Sequence, residues 1–398
     1  MTLEFYYDIV CPYAYIASTR VEALAARAGV SLTWCPVLLG GVFKAHQSPQ
    51  FPGDAMGPGK ARLNLLDIHR YAAHHGVPLE MPEGHPRRTV EAMRLILAAP
   101  ETVRSALSHD LFRAYWIEGA DIADRSVLAG IGARHGVPIE AIDGPEIKQA
   151  LFDAVDAAVA HNIFGVPTFR LGGEGGSGEM WWGQDRMPLV EAAARAAGGG
   201  GPKVEIFHDF ASPFSYLAST QVGRITRRRG LTLTHRPILL GAMFRDIGTP
   251  NVPMMAMSPA KRAHAGQDIL RWADWWGVTL RWPSAFPLRT VAPLRVALQA
   301  PELTDALYRA AWVDDVNIGD PEALRGVIVG AGGDAEALLS GTQNPEIKAQ
   351  LKANTEAAIA LGACGVPTVV ITAVDGTQEI FWGQDRLPLI EATLDRML

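Results

Sequence analysis

With 398 residues, 48% of them hydrophobic and 20% charged, the chain has room for two or three domains and the composition of an ordinary soluble, folded protein. Its 36 Lys+Arg against 42 Asp+Glu leave a net charge of −6, which gives no electrostatic footprint for nucleic acid and no basic tail for an anionic membrane. No apolar run reaches the roughly 18 residues of a membrane span, and residues 1–8 lack the basic segment and apolar stretch of a secretory signal, so the expected compartment is the cytoplasm. The three cysteines, Cys11, Cys35 and Cys364, form no Cys-x-x-Cys pair, which argues against a disulfide framework and against a thiolate zinc site.

In chain order, a short apolar strand (residues 3–7) runs through a turn with Pro12 into a helix (15–27) and a second strand (31–36), a βαβ opening. Helical periodicity then dominates over residues 60–75, 88–99, 103–116 and 145–162. Gly165-Val166-Pro167-Thr168-Phe169 opens a third strand, a glycine-rich turn (172–178) leads to a fourth around 180–182, and a last helix follows. That turn lacks the Lys-Ser/Thr ending of a phosphate loop and reads as a hairpin.

The order then repeats. Asp8-Ile9-Val10-Cys11-Pro12-Tyr13-Ala14-Tyr15 is answered by Asp209-Phe210-Ala211-Ser212-Pro213-Phe214-Ser215-Tyr216, with Cys11 matched by Ser212, 201 positions on. Pro36 and Pro237, Lys60 and Lys261, and Arg88-Thr89-Val90 and Arg289-Thr290-Val291 keep that offset. Gly365-Val366-Pro367-Thr368 and Gly383-Gln384-Asp385-Arg386 repeat Gly165-Val166-Pro167-Thr168 and Gly183-Gln184-Asp185-Arg186 at an offset of 200. A period this long matches a whole domain, so the chain is expected to be a tandem of two homologous folds, 1–197 and 203–398, joined by a flexible linker at 198–202.

Ser212 falls in a strand-to-helix turn, where it is either a helix cap or a hydroxyl aimed at an anion, since unpaired N–H groups and the helix dipole favour negative charge there. No adjacent His or Asp marks it as an acylating nucleophile. Val166-Pro167 and Val366-Pro367 are either trans turn prolines opening an edge strand or cis turns that leave the valine backbone open to an extended peptide. Lys261, Asp385 and Arg386 are either solvated surface charges or charges complementary to a charged ligand, Arg386 equally a helix-cap salt bridge. Trp272, Trp275 and Trp276 share one helical face, with Trp282 and Phe286 beyond, and serve core packing, a face between the halves, or the wall of an aromatic pocket. In the first half the corresponding helix carries Tyr71, His74 and His75, and the spacing of His69, His74 and His75 does not support a metal site.

On three motifs, Asp209 to Ala218, Arg236-Pro237-Ile238-Leu239-Leu240-Gly241, and Gly365-Val366-Pro367-Thr368 with Phe381-Trp382-Gly383-Gln384-Asp385-Arg386, the chain resembles the DsbA-like and kappa-class glutathione transferase superfamily, and within it the 2-hydroxychromene-2-carboxylate isomerases. The resemblance covers both halves. It implies an α/β architecture of two thioredoxin-like folds, each with a DsbA-type helical insertion, arranged as a pseudodimer. It implies glutathione as cofactor, with Ser212 facing its sulfur and Asn251, Lys261, Val366, Pro367, Asp385 and Arg386 holding the tripeptide. An aromatic small molecule would be the substrate.

The first half departs from this pattern, with Cys11 for the serine, Ala14 for Ser215 and Gln50 near the place of Asn251, while Lys60, Val166, Pro167, Asp185 and Arg186 remain. Cys11 is either an acidic thiol that forms a mixed disulfide with glutathione, or a small buried residue in a degenerate site. Three activities therefore stand open: glutathione-dependent isomerisation, glutathione transfer, and thiol-disulfide exchange or deglutathionylation through Cys11.

Overall fold

The computed structural model describes residues 1–49, 56–250 and 253–398. Its contacts divide the chain into two units, Met1–Gly200 and Gly201–Leu398. The first contains β1 (Thr2–Tyr7), α1 (Pro12–Ala28), β2 (Ser31–Pro36), α2 (Leu39–Ala45), α3 (Pro58–His74), α4 (Val90–Ala98), α5 (Glu101–Trp116), α6 (Arg125–Arg134), α7 (Pro145–Ala160), β3 (Thr168–Gly172), β4 (Met180–Trp182) and α8 (Met187–Gly198). The second contains β5 (Lys203–His208), α9 (Pro213–Arg228), β6 (Leu233–Pro237), α10 (Leu240–Asp246), α11 (Pro259–Trp275), α12 (Val291–Gln299), α13 (Thr304–Trp312), α14 (Pro321–Gly330), α15 (Ala335–Gly341), α16 (Pro345–Ala360), β7 (Thr368–Thr372), β8 (Gln378–Trp382) and α17 (Leu387–Met397). The stretch between the units is shorter than the sequence suggests, because α8 runs through Gly198 and ends on Gly199, whose φ of 66° suits glycine.

Each unit builds one four-stranded mixed sheet, in the order β2-β1-β3-β4 and β6-β5-β7-β8. The first two strands are parallel, as a crossover helix requires, and the remaining pairs are antiparallel. Alternation along the strands divides the core of the second unit. Val204, Ile206, Val369 and Ile371 pack with Val222, Ile225, Ile390 and Leu394 of α9 and α17. Phe207 and Val370 turn to the other face and meet Met243 of α10 and Ala358 of α16. The helices between the second and third strands form the insertion.

A buried tryptophan binds each insertion to its sheet. Trp116 and Trp312 are fully buried, and each indole Nε1–H donates to a carbonyl just past the first strand, Ile9 and Phe210, both at 2.8 Å. Burying one such ring contributes about 4–6 kcal/mol, and the hydrogen bond keeps its polar edge satisfied. Among the described residues, no helix is long and apolar enough to cross a membrane.

Candidate functional site

The site forms where the first strand of the second unit turns into α9. Asp209, 1% exposed, closes this turn by accepting from Ala211 N–H (3.0 Å), and its other oxygen accepts from Leu240 N–H (2.8 Å) at the start of α10. Burial pushes the Asp209 carboxyl up, against those backbone hydrogen bonds and one from the Thr290 hydroxyl. Trp312 holds Phe210 from the insertion side. Ser212 is thus delivered by a turn fixed to three neighbouring elements.

Ser212 is the N-cap of α9, extended at φ −102° and ψ 118°, with Pro213 in the first turn. Its Oγ accepts from Ser215 N–H at 3.2 Å and donates to the Val366 carbonyl at 3.3 Å. The capping role is therefore real, and the same oxygen touches the second predicted element of the site. Both Val366-Pro367 and Val166-Pro167 are cis, as are His85-Pro86 and Phe286-Pro287, which the sequence did not single out. The Val366 carbonyl already accepts one hydrogen bond, from Ser212. No acceptor among the described residues meets the Val366 N–H.

The hairpin brings the acidic motif to this place. Gly383 N–H donates to the Pro367 carbonyl at 3.0 Å, and the Trp382 indole packs over Gly365, where any side chain would meet its Nε1 at 3.0 Å. Gly383, at φ 104°, turns the chain into Gln384-Asp385-Arg386. Asp385 and Arg386 are ion-paired with each other, the salt-bridge alternative for Arg386. Lys261 is exposed in the first turn of α11, whose N-cap Ser258 accepts from its N–H at 3.4 Å. Asn251 and its counterpart Gln50 lie outside the described residues. Trp272 and Trp276 meet at 4.7 Å with their rings tilted by 32° and pack on the insertion core, Trp282 meets Phe286 and Trp312, and Trp275 is 80% exposed.

The first unit repeats this geometry with sulfur in place of oxygen. Cys11 is the N-cap of α1, and its Sγ–H donates to the Val166 carbonyl at 3.2 Å, as Ser212 does to Val366. Gly183 N–H donates to the Pro167 carbonyl at 2.9 Å, Asp185 pairs with Arg186, and Lys60 is exposed near the start of α3. Cys11 is only 8% exposed, and burial pushes its thiol up to about 12, outweighing hydrogen bonds from the Ala14 and Tyr13 backbone. Burial thus opposes the acidic-thiol alternative, since helix N-terminal donors lower a thiol pKa only where the thiolate also keeps some hydration. Nearby, Asp8 accepts from Leu39 N–H (2.8 Å), the Thr89 hydroxyl (3.1 Å) and Val10 N–H (3.3 Å), while burial pushes it up to about 6. Asp8 and Asp209 stood in the repeated motif, but nothing in the sequence marked them as the buried clasp of the turn.

Comparison with known proteins agrees with the repeat. The model of the DSBA-like thioredoxin domain matches residues 2–195 and again 203–395. The chain is 29% identical over 203 residues to a 2-hydroxychromene-2-carboxylate isomerase of Pseudomonas putida, covering 48% of this chain and 94% of that protein. It is 28% identical over 203 residues to human glutathione S-transferase kappa 1, covering 47% of this chain and 88% of that one. Among solved structures, that of a 2-hydroxychromene-2-carboxylate isomerase aligns at 26% identity and a TM-score of 0.42, covering 48% of this chain and 94% of the other. Each relative thus corresponds to one of the two units, and the chain belongs to the DsbA-like thioredoxin family, with the domain present twice.

Proposed function

We propose that the second unit is a glutathione-dependent isomerase acting on an unsaturated aromatic catabolite of the 2-hydroxychromene-2-carboxylate kind. The observation that carries this reading is Ser212: a buried hydroxyl at a helix N-terminus, within 3.3 Å of the carbonyl that precedes a cis proline. An N–H-rich helix start and a hydroxyl that can rotate from the Val366 carbonyl to a sulfur together favour a bound thiolate. The Val366 N–H would pair with the cysteinyl carbonyl of glutathione. Lys261 and Arg386 would meet its carboxylates, Asp385 its ammonium group, and Asn251 would complete the site.

The thiolate adds to a conjugated carbon of the substrate, the hemiketal ring opens, the former double bond becomes single, and rotation about it occurs in the adduct. Expulsion of the thiolate restores the double bond, so glutathione leaves unchanged and no redox partner is consumed. Retention of the adduct as product would make the same site a transferase, as in the kappa-class relatives. Thiol-disulfide exchange through Cys11 is disfavoured by its burial. The need for reduced glutathione fits a cytoplasmic setting.

Calorimetric titration of reduced glutathione, paired with absorbance assays of 2-hydroxychromene-2-carboxylate, tests the reading. Saturable binding is expected in the wild type, with turnover falling about 10²–10³-fold in Ser212→Ala, the range for loss of one preorganised donor. Absence of binding at millimolar glutathione would overturn it.

A further inference from the structure

A cavity of about 750 Å³ opens in the second unit between α9, the edge strand β6 and α13, and neither Ser212, Lys261, Pro367 nor Asp385 lines it. Its place is the seam between the thioredoxin-like part and the helical insertion, the kind of junction where ligand sites recur. Tyr216 and Val278 form apolar wall, and Tyr216 is fixed by donating its hydroxyl to the Thr279 carbonyl at 2.8 Å. His235 and Tyr308 line the interior, while Arg227, Arg309 and Asp305 stand exposed around it.

The first unit shows what a closed version of this seam looks like. The sheet registers pair Phe5 with Trp34 and Ile206 with His235, so Trp34 is the counterpart of His235. Counting from the matched Trp116 and Trp312, His109 is the counterpart of Asp305, and the offset along the first helix makes Glu22 the counterpart of Gly223. In the first unit these three residues fill the place together. The Trp34 ring lies edge-on to His109 at 5.0 Å, and His109 Nε2 meets Glu22 at 3.6 Å. Replacement by His, Asp and Gly removes the indole and the ion pair at once, and it is this exchange that leaves room.

The polar atoms left behind are not satisfied internally. His235 Nδ1 is buried without a hydrogen-bond partner, although buried polar atoms in folded proteins are nearly always paired. The His235 ring is set edge-on against His208 at 5.2 Å, where His208 Nδ1 is joined to the Tyr308 hydroxyl at 2.9 Å and His208 Nε2 is likewise buried without a partner. Arg309 pairs with Asp314 at 3.3 Å, whereas no carboxylate among the described residues lies within ion-pair distance of Arg227. With Arg309 paired to Asp314, Arg227 is the cation of the lining left without a carboxylate partner among the described residues.

We propose that this seam is a second ligand site, present in the second unit alone, for a small amphipathic organic carboxylate. The carboxylate pairs with Arg227, whose planar fork suits two oxygens. Its apolar body lies along Tyr216, Val278 and the half-buried His235 ring. The site is independent of the glutathione reading, since it shares no residue with it.

The test is a ¹⁹F NMR titration of 4-fluorobenzoate into the full chain, with and without saturating glutathione. Saturable broadening is expected, unchanged in Ser212→Ala and unaffected by glutathione. The double variant Gly223→Glu/His235→Trp, which restores two of the three residues of the first unit, should weaken binding more than tenfold. A side chain at Gly223 is sterically admissible, its Cβ coming no closer than 3.5 Å to Arg227 and 3.9 Å to Leu233. Arg227→Ala, an exposed change that spares the fold, should weaken binding several-fold. Lack of saturable binding, displacement by glutathione, or full affinity in Arg227→Ala would each overturn the proposal, whatever the double variant does to folding.

Discussion

Positions 11 and 212 differ by one atom, sulfur against oxygen, yet their chemistry diverges because both are buried against the same kind of carbonyl. A hydroxyl there keeps its proton and works as a donor. A thiol needs to ionise to react, and burial opposes that: Cys11 and Cys35 are both pushed up to about 12, whereas Cys364 is exposed. Iodoacetamide at pH 8 should therefore label Cys364 well before Cys11 or Cys35, with peptide mass spectrometry following the order; early labelling of Cys11 would revive the mixed-disulfide chemistry. Burial also sets a pH response at His208, which is fully buried and held well below its ordinary value of 6.5 by desolvation, with His235 beside it. A histidine whose folded pKa is depressed stabilises the fold above its unfolded pKa and withdraws that stability as pH falls below it. The unfolding midpoint of the second unit should drop between pH 7.5 and 5.5, and the drop should shrink in His208→Phe even if that variant is less stable throughout. An unchanged drop would locate the acid response elsewhere. Ser212, the Val-Pro pairs and the Asp-Arg pairs were legible in sequence because they recur in fixed motifs. That Ser212 Oγ would bond the Val366 carbonyl, 154 residues away, was not, since no local pattern encodes a partner brought in by the sheet.

Among the elements, the turns before α1 and α9 carry the site, and each depends on a tryptophan contributed by the insertion. Trp312→Phe keeps most of the apolar packing but removes the only donor that meets the Phe210 carbonyl among the described residues. Leaving that carbonyl buried and unpaired should cost about 1–3 kcal/mol. Chemical denaturation would measure that loss, and glutathione affinity should fall with it as the turn loosens; a variant with wild-type stability would show that the contact is idle. The strands, the first helix and the long insertion helices were readable from periodicity. The short helices were not: α2 contains Gly40 and Gly41, and α6 contains Gly130 and Gly132, which lower intrinsic helix propensity, so only packing selects their conformation. In the second unit Pro301 separates α12 from α13, as Pro100 separates α4 from α5.

At the scale of the molecule, the two units keep one topology while exchanging what lies beneath it. Tyr7 and Trp34 stack edge-on in the first unit, and the same pair of sheet positions holds His208 and His235 in the second. The repeat made the architecture legible from spacing, but it hid this divergence, because a motif comparison weighs residues that stay the same. The stretch between Gly198 and Lys203 gives that divergence its opening. When two identical chains form a dimer, every mutation is written into both subunits, so a substitution that opens a cavity in one must open it in the other. A fused pair is inherited as two separately editable copies, and a costly buried histidine can be tried in one copy while the other keeps its tryptophan as ballast.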